Sequence, residues 1–413
     1  MIEEKLPFRW VVLLLVVLVD MCVTGMVFSC MPSLYGEITK DIPMNYTQWG
    51  GIWGVGAIAS MIFSLIGGMY VDRLGIRIIG SLSAVLTGIF CIGRAFAHDF
   101  YQLLAVMFLT GMSSSFLMPN MPKALGHWFT SDELGLANGI RIAGICVGSG
   151  SALMLSGVFL SPLVGGWRNL MWFYGLITIA LGIIWILVIH EGSDYSNDAR
   201  EAREKFSFRE ALFAVMRVRD QWFLMVARFS IMGPLIAVIG FLPEILVTKG
   251  MEQRMAHLSS SLIYYVNILG VLVVPMLSDK YGLRKIFIWP FSLIGALFVI
   301  LLGMITGITC LIVCSLLGLI VGFIPLLMIL PMEMEGIGHK YFGTSLGLSA
   351  TFGSLGRFFI PIVGGKIIDL TGTGLAAFFF WGMLMLIGSL FILPMKEMGH
   401  RVKTISAIKE PME

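Results

Sequence analysis

The sequence predicts an all-α membrane protein of twelve transmembrane helices in two pseudo-symmetric six-helix bundles. Three observations predict it. Of 413 residues, 57% are hydrophobic and 13% charged, which leaves too little polar surface to cover a soluble body of this size. Apolar runs of roughly 20 residues, the length a helix needs to cross a bilayer, recur along the whole chain. Finally, the chain repeats itself. Asp72, Arg73, Gly75 and Arg77 map onto Asp279, Lys280, Gly282 and Arg284 at one constant offset of 207 residues, half the chain length.

The first six runs cover residues 10–34, 48–70, 78–97, 101–125, 136–158 and 170–190. The first is too long for a signal peptide and lacks a small-residue cleavage site, so it reads as a retained helix. A charged stretch, 191–221, follows, and its second part suits a short amphipathic helix at the membrane surface. Six more runs cover 223–247, 257–277, 286–306, 309–332, 343–368 and 375–395. The expected organisation is an N-terminal bundle (1–190), a linker (191–221), a C-terminal bundle (222–395) and a polar tail (396–413). An even number of crossings puts both termini on one side. Assigning the Lys and Arg residues to alternate sides gives 19 to the side of the termini and six to the other, Arg94 among the six. By the positive-inside rule the termini are expected to be cytoplasmic, in a plasma or bacterial inner membrane. Asn45-Tyr46-Thr47 fits the glycosylation triplet on the outer side and reads as a chance match.

In both copies of the repeat an apolar run ends, a carboxylate and cations follow, and another run begins. A glycine between the charges lets the chain turn tightly. Topology alone needs cations, but no carboxylate or glycine at fixed spacing. Asp72, Arg73, Gly75, Arg77, Asp279, Lys280 and Arg284 are therefore expected to act as gates. Their carboxylates would pair with cations or helix N-termini and release them when the halves rock. The pattern Gly68-x-x-x-Asp72-Arg73-x-Gly75-x-Arg77 resembles the signature of the major facilitator superfamily. Pro275 stands where the second copy would carry its leading glycine. The resemblance implies the major facilitator fold, transport by alternating access, and a central path lined by the first, fourth, seventh and tenth helices.

Charges inside apolar runs are the best pointers to a site, since each costs about 2.5–3.5 kcal/mol at mid-bilayer on insertion scales. Asp20 lies about 16 Å into its helix at 1.5 Å per residue. Arg141, Arg228 and Arg357 lie in the fifth, seventh and eleventh runs. Aligning Pro32 with Pro243 sets Arg228 one turn from the counterpart of Asp20, and the resemblance places the two across the path. In one reading Asp20 pairs permanently with Arg141 or Arg228. In the other, Arg228, Arg357 and Arg141 hold an anion while Asp20 takes up a proton. Three cations against one carboxylate leave an empty site positive, which favours the second. Phe28, Trp53, Tyr264, Asn267 and Asn120 are candidate polar or aromatic edges. The six histidines, His257 among them, fall at helix ends or in loops and offer no proton relay.

Glycines spaced by four in the fifth and eleventh runs, Gly135/Gly139 and Gly343/Gly347 among them, suit close helix packing. The 28 Met residues read as pliable packing. All six cysteines lie in apolar runs with no metal-type spacing, Cys310 and Cys314 being one turn apart. Gly343-Thr344-Ser345-Leu346-Gly347 matches a nucleophile elbow, but the serine opens an apolar helix rather than ending a strand. With no phosphate loop and no metalloprotease motif, neither an enzyme nor a cofactor is expected.

The segment 119–144 and Gly166-Trp167-Arg168-Asn169 resemble the small-anion and organic-anion permease branches (cyanate-, nitrate- and oxalate–formate-like). The nitrate carriers' glycine signature and their arginines in the second and eighth runs are absent, as is the proline that marks many drug antiporters. The expectation is a monomeric secondary transporter of a small carboxylate, by symport or antiport with a proton or counter-anion. The alternatives are proton-driven drug efflux and a receptor-like member that transports nothing.

Overall fold

The computed structural model describes residues 5–190 and 208–399; most of the linker and the tail beyond Gly399 lie outside it. The described chain is helical throughout, with no strand among those residues. This is what a bilayer demands, because lipid offers no partner for backbone N–H and C=O groups. Eleven described segments are long and apolar enough to cross a membrane. The helix Tyr46–Gly93, of 48 residues, is about 72 Å long at 1.5 Å per residue, more than twice a hydrocarbon core. It breaks at Gly75 (φ 84°, ψ 168°), so that 46–74 and 76–93 are two spans, and the total is twelve.

The first span is Phe8–Ser33. It winds as α-helix to Asp20, widens into a π-helical turn over Met21–Met26, and resumes through Pro32. The fourth to sixth spans are Phe100–Trp128, Asp132–Val164 and Trp167–Val188. A nine-residue helix, Phe208–Met216, stands where the linker was expected to turn amphipathic. Then come Arg219–Thr248, Gln253–Tyr281, Lys285–Leu302, Gly307–Glu333, Tyr341–Thr371 and Gly374–Ile392. The ninth and tenth spans, barely separated in sequence, are distinct helices.

Two compact units divide the chain. The first holds the described part of Met1–Glu204 with Gly240–Tyr264; the second holds the described part of Lys205–Ile239 and Tyr265–Glu413. Gly240–Tyr264 is tied into the first by Trp49, whose indole N–H donates to the Gly240 carbonyl at 3.2 Å. Within that unit Val12, Val16, Ala84, Met121 and Trp185 belong to a buried apolar core. Small residues admit close helix contact, as expected. A Cβ on Gly148 would stand 2.3 Å from the Met21 carbonyl, and one on Gly356, in the second unit, 2.4 Å from that of Phe229. Gly135, Gly343 and Gly347 face open space instead. Asn45 caps its helix: its side chain accepts from Gln48 N–H at 2.8 Å and Gln48 reciprocates at 3.0 Å, a capping box.

Candidate substrate site and charged loops

In the first unit Asp20 sits where the first span widens, 2% exposed. It accepts from the Arg141 guanidinium at 2.7 Å and from the Thr24 hydroxyl, one turn on, at 3.1 Å. A carboxylate this deep needs a cation in hydrogen-bonding contact, and Arg141 supplies it. The Tyr264 hydroxyl meets Ser29 and Ser149. The Trp53 ring lies on Gly240, where a Cβ would stand 2.5 Å from it. Phe28 packs against Gly56.

In the second unit two arginines stand together with no counter-ion among the described residues. Arg228 is 5% exposed and donates to the Ser349 hydroxyl at 3.0 Å; half-buried Arg357 donates to the Ser354 hydroxyl at 2.9 Å. The Nε of each is buried and unpartnered. Arg228 lies within electrostatic reach of Arg357, and among the described residues neither forms a salt bridge. Serine hydroxyls satisfy N–H groups but cannot neutralise charge. Both serines and Arg357 lie on the eleventh span, so the site is built from one helix facing Arg228 on the seventh. Asn267 donates to the Gly318 carbonyl at 2.9 Å, which fixes the eighth span to the tenth.

Both charged loops are ordered by ion pairs. Asp72 accepts from Lys123 of the fourth span at 2.5 Å. Asn120 and Trp185 both donate to the Ile76 carbonyl, at 3.1 and 3.2 Å, which clamps the chain just past the Gly75 break. In the second copy Arg284 is the hub, bonded to Asp279 at 2.5 Å, to Glu333 of the tenth span at 3.1 Å and to Ser278 at 3.1 Å. Burial opposes its charge, but the hydrogen bonds and charges of Glu333 and Asp279 outweigh that and hold its pKa above the usual value. Gly282 turns the chain at φ 66°. Each half also ties its last span to this loop. Arg77 Nε donates to the Ile186 carbonyl at 2.8 Å, and Lys285 Nζ to that of Leu393 at 2.5 Å. Arg73 and Lys280 are exposed.

Sequence reasoning left the burial of one cation unseen. Arg94, counted among the six charges of the outer side, is fully buried. It donates to the Val27 carbonyl at 2.6 Å and lies 5.8 Å from the Phe28 ring centroid, with Nε and one terminal nitrogen unpartnered. A run that ends in arginine looks the same whether the side chain turns out or in. His257, at a helix end in the sequence, is buried beside Gly157 with Nδ1 unpartnered. Glu333, at the end of the tenth span, and Glu397, beyond the twelfth, carry no local pattern that would single them out. Ser345 is buried and donates to the Gln221 side chain, which leaves the apparent nucleophile elbow a helix contact.

Residues 13–361 match the family described as Major Facilitator Superfamily. The "Nitrite extrusion protein" of Bacillus subtilis is 24% identical over 84% of this chain and 85% of its own length. The "4-hydroxybenzoate transporter PcaK" of Pseudomonas aeruginosa is 26% identical over 46% of this chain and 42% of its own length. The crystal structure of a bacterial homolog to the human lysosomal transporter Spinster, inward-facing and unoccupied, is similar in fold with a TM-score of 0.71. It is 18% identical and covers 94% of this chain and 95% of its own.

Proposed function

The chain belongs to the Major Facilitator Superfamily, and from that premise we propose that it moves a small organic anion, a carboxylate, by alternating access. It is an integral membrane protein and a transporter rather than an enzyme. The observation that carries the anion reading is the Arg228–Arg357 pair, two guanidinium groups with buried Nε atoms whose hydrogen bonds, among the described residues, go only to serine hydroxyls. An ion-sized cargo with two acceptor oxygens would satisfy the free Nε groups and cancel charge at once. The names of the two relatives agree in charge: nitrite and 4-hydroxybenzoate are anions.

Asp20 is the proton carrier in this reading. Protonation would free Arg141 from its partner, so one event neutralises one buried charge and unpairs another. Arg141 serves the carboxylate of Asp20 rather than the cargo. Tyr264, Phe28, Trp53 and Asn267 shape the walls. The charged loops gate, with both termini in the cytoplasm.

The test is uptake of labelled benzoate, 4-hydroxybenzoate, oxalate and nitrite into liposomes, with and without an imposed pH gradient. One of these anions is expected to enter saturably. Arg228→Ala and Arg357→Ala should each lower that flux roughly 10- to 100-fold, the worth of a charge-assisted hydrogen bond of about 1.5–3 kcal/mol. Anion flux that survives both changes removes the site assignment. Flux of apolar cations with none of anions favours efflux instead.

A further inference from the structure

The ninth span, Lys285–Leu302, starts without a cap of its own, since the side chain of Arg284 at its N-cap bonds elsewhere. Its first N–H groups would be orphans. Their partner comes from beyond the twelfth span. Glu397 Oε1 accepts from the backbone N–H of Arg284 and of Lys285, both at 2.8 Å. The carbonyl of Met398 accepts from Arg284 N–H as well, at 3.0 Å. The rest of the segment is pinned at several points. Lys285 Nζ reaches the carbonyls of Leu393 and Met395, and Lys396 N–H donates to Asp220 at 3.2 Å. The Lys396 ammonium pairs with Glu335. Gly399, at φ 129°, lies so close to Gly282 that a Cβ there would stand 2.2 Å from the Gly282 carbonyl. Two glycines thus meet at the turn of the second charged loop. Beside Gly399 a cavity of about 570 Å³ is bordered by Asp220, Glu333, Glu335 and Glu397.

We propose that Pro394–Gly399 is a strap that holds the second charged loop in register, with Glu397 as its positioning residue. Arg284 can bridge Asp279 and Glu333 together only while its own backbone is fixed. Glu397 fixes it by capping the helix that begins there, where a carboxylate also meets the positive end of the helix dipole. Transport that breaks and remakes the Arg284 bridges then depends on a residue that touches neither cargo nor gate side chain. The first loop is held differently, by Lys123, Asn120 and Trp185, so the strap belongs to the second copy.

Hydrogen–deuterium exchange on the full chain in lipid nanodiscs tests this without any substrate. In Glu397→Ala, amides in 279–288 should exchange at least tenfold faster while those in 72–78 keep the parent rate. Glu397→Gln retains an acceptor oxygen and should fall between the two; it carries the same comparison if the alanine variant does not fold. In liposomes, flux of whichever anion of the uptake panel is carried should lose several-fold in maximal rate, with KM within twofold. Unchanged exchange over 279–288, equal acceleration in both loops, or a full transport rate with a loosened loop overturns the proposal. The proposal rests on membership of a transporter family and not on the anion reading. If no panel anion is carried, that reading fails and the exchange comparison still decides the strap.

Discussion

A carboxylate and a guanidinium 2.7 Å apart and largely out of water are stable as a pair and costly apart. Arg141→Ala should therefore destabilise the protein by about 3–5 kcal/mol, because Asp20 is left as an uncompensated buried charge. Asp20→Asn combined with Arg141→Gln should recover most of that loss. Thermal unfolding of the parent and both variants in one detergent checks this, and a double variant no better than Arg141→Ala would mean the pair is not the source of the cost. Asp20, Arg141, Arg228 and Arg357 were legible in the sequence because an ion inside an apolar run is rare and expensive. Which arginine Asp20 meets was not. Residues 121 positions apart come together only through helix rotation and packing, which periodicity in such uniformly apolar spans does not encode. Arg94 was illegible for a related reason: at the end of a run, outward and inward rotamers share one sequence.

Among elements, the broken helix Tyr46–Gly93 shows how little chain a membrane turn requires. A loop was expected between the second and third spans; the break is a single residue, Gly75, in a φ/ψ region essentially reserved for glycine. Gly68, seven residues earlier in the same motif, is helical, and a Cβ added there would have nothing within 4 Å. The two glycines should answer alanine with opposite signs. Gly75→Ala is expected to cost about 1–3 kcal/mol. Gly68→Ala should be neutral or stabilising by up to about 1 kcal/mol, the usual gain in a helix interior. Melting temperatures of the two variants decide it, and a Gly68→Ala loss as large as that of Gly75→Ala would contradict the assigned roles. The motif spacing was readable because the duplication displays it twice. The clamp on Ile76 and the cap from Glu397 were not, since both come from helices remote in sequence.

At the scale of the molecule, duplication has preserved the frame and let the buried charges diverge. Arg77 and Lys285 each grip the carbonyl end of their half's last span, yet Asp20–Arg141 has no ionic counterpart among the described residues of the second unit's membrane interior. There the described ions with a buried Nε are Arg228 and Arg357, with no carboxylate bonded to either. Proton handling and anion binding would then reside on different helices, Asp20 on the first span and the arginines on the seventh and eleventh, and substitution should separate them. Asp20→Asn should bind the carried anion within twofold of the parent by calorimetry and still exchange anion for anion across a liposome membrane. Its net uptake should no longer respond to an imposed pH gradient. Arg357→Ala should fail in binding and in both fluxes, since a cation missing from the proposed cargo site removes the step common to all of them. If Asp20→Asn abolished binding as thoroughly as Arg357→Ala, proton and cargo would share one set of charges, and the division of labour between the halves would have to be abandoned.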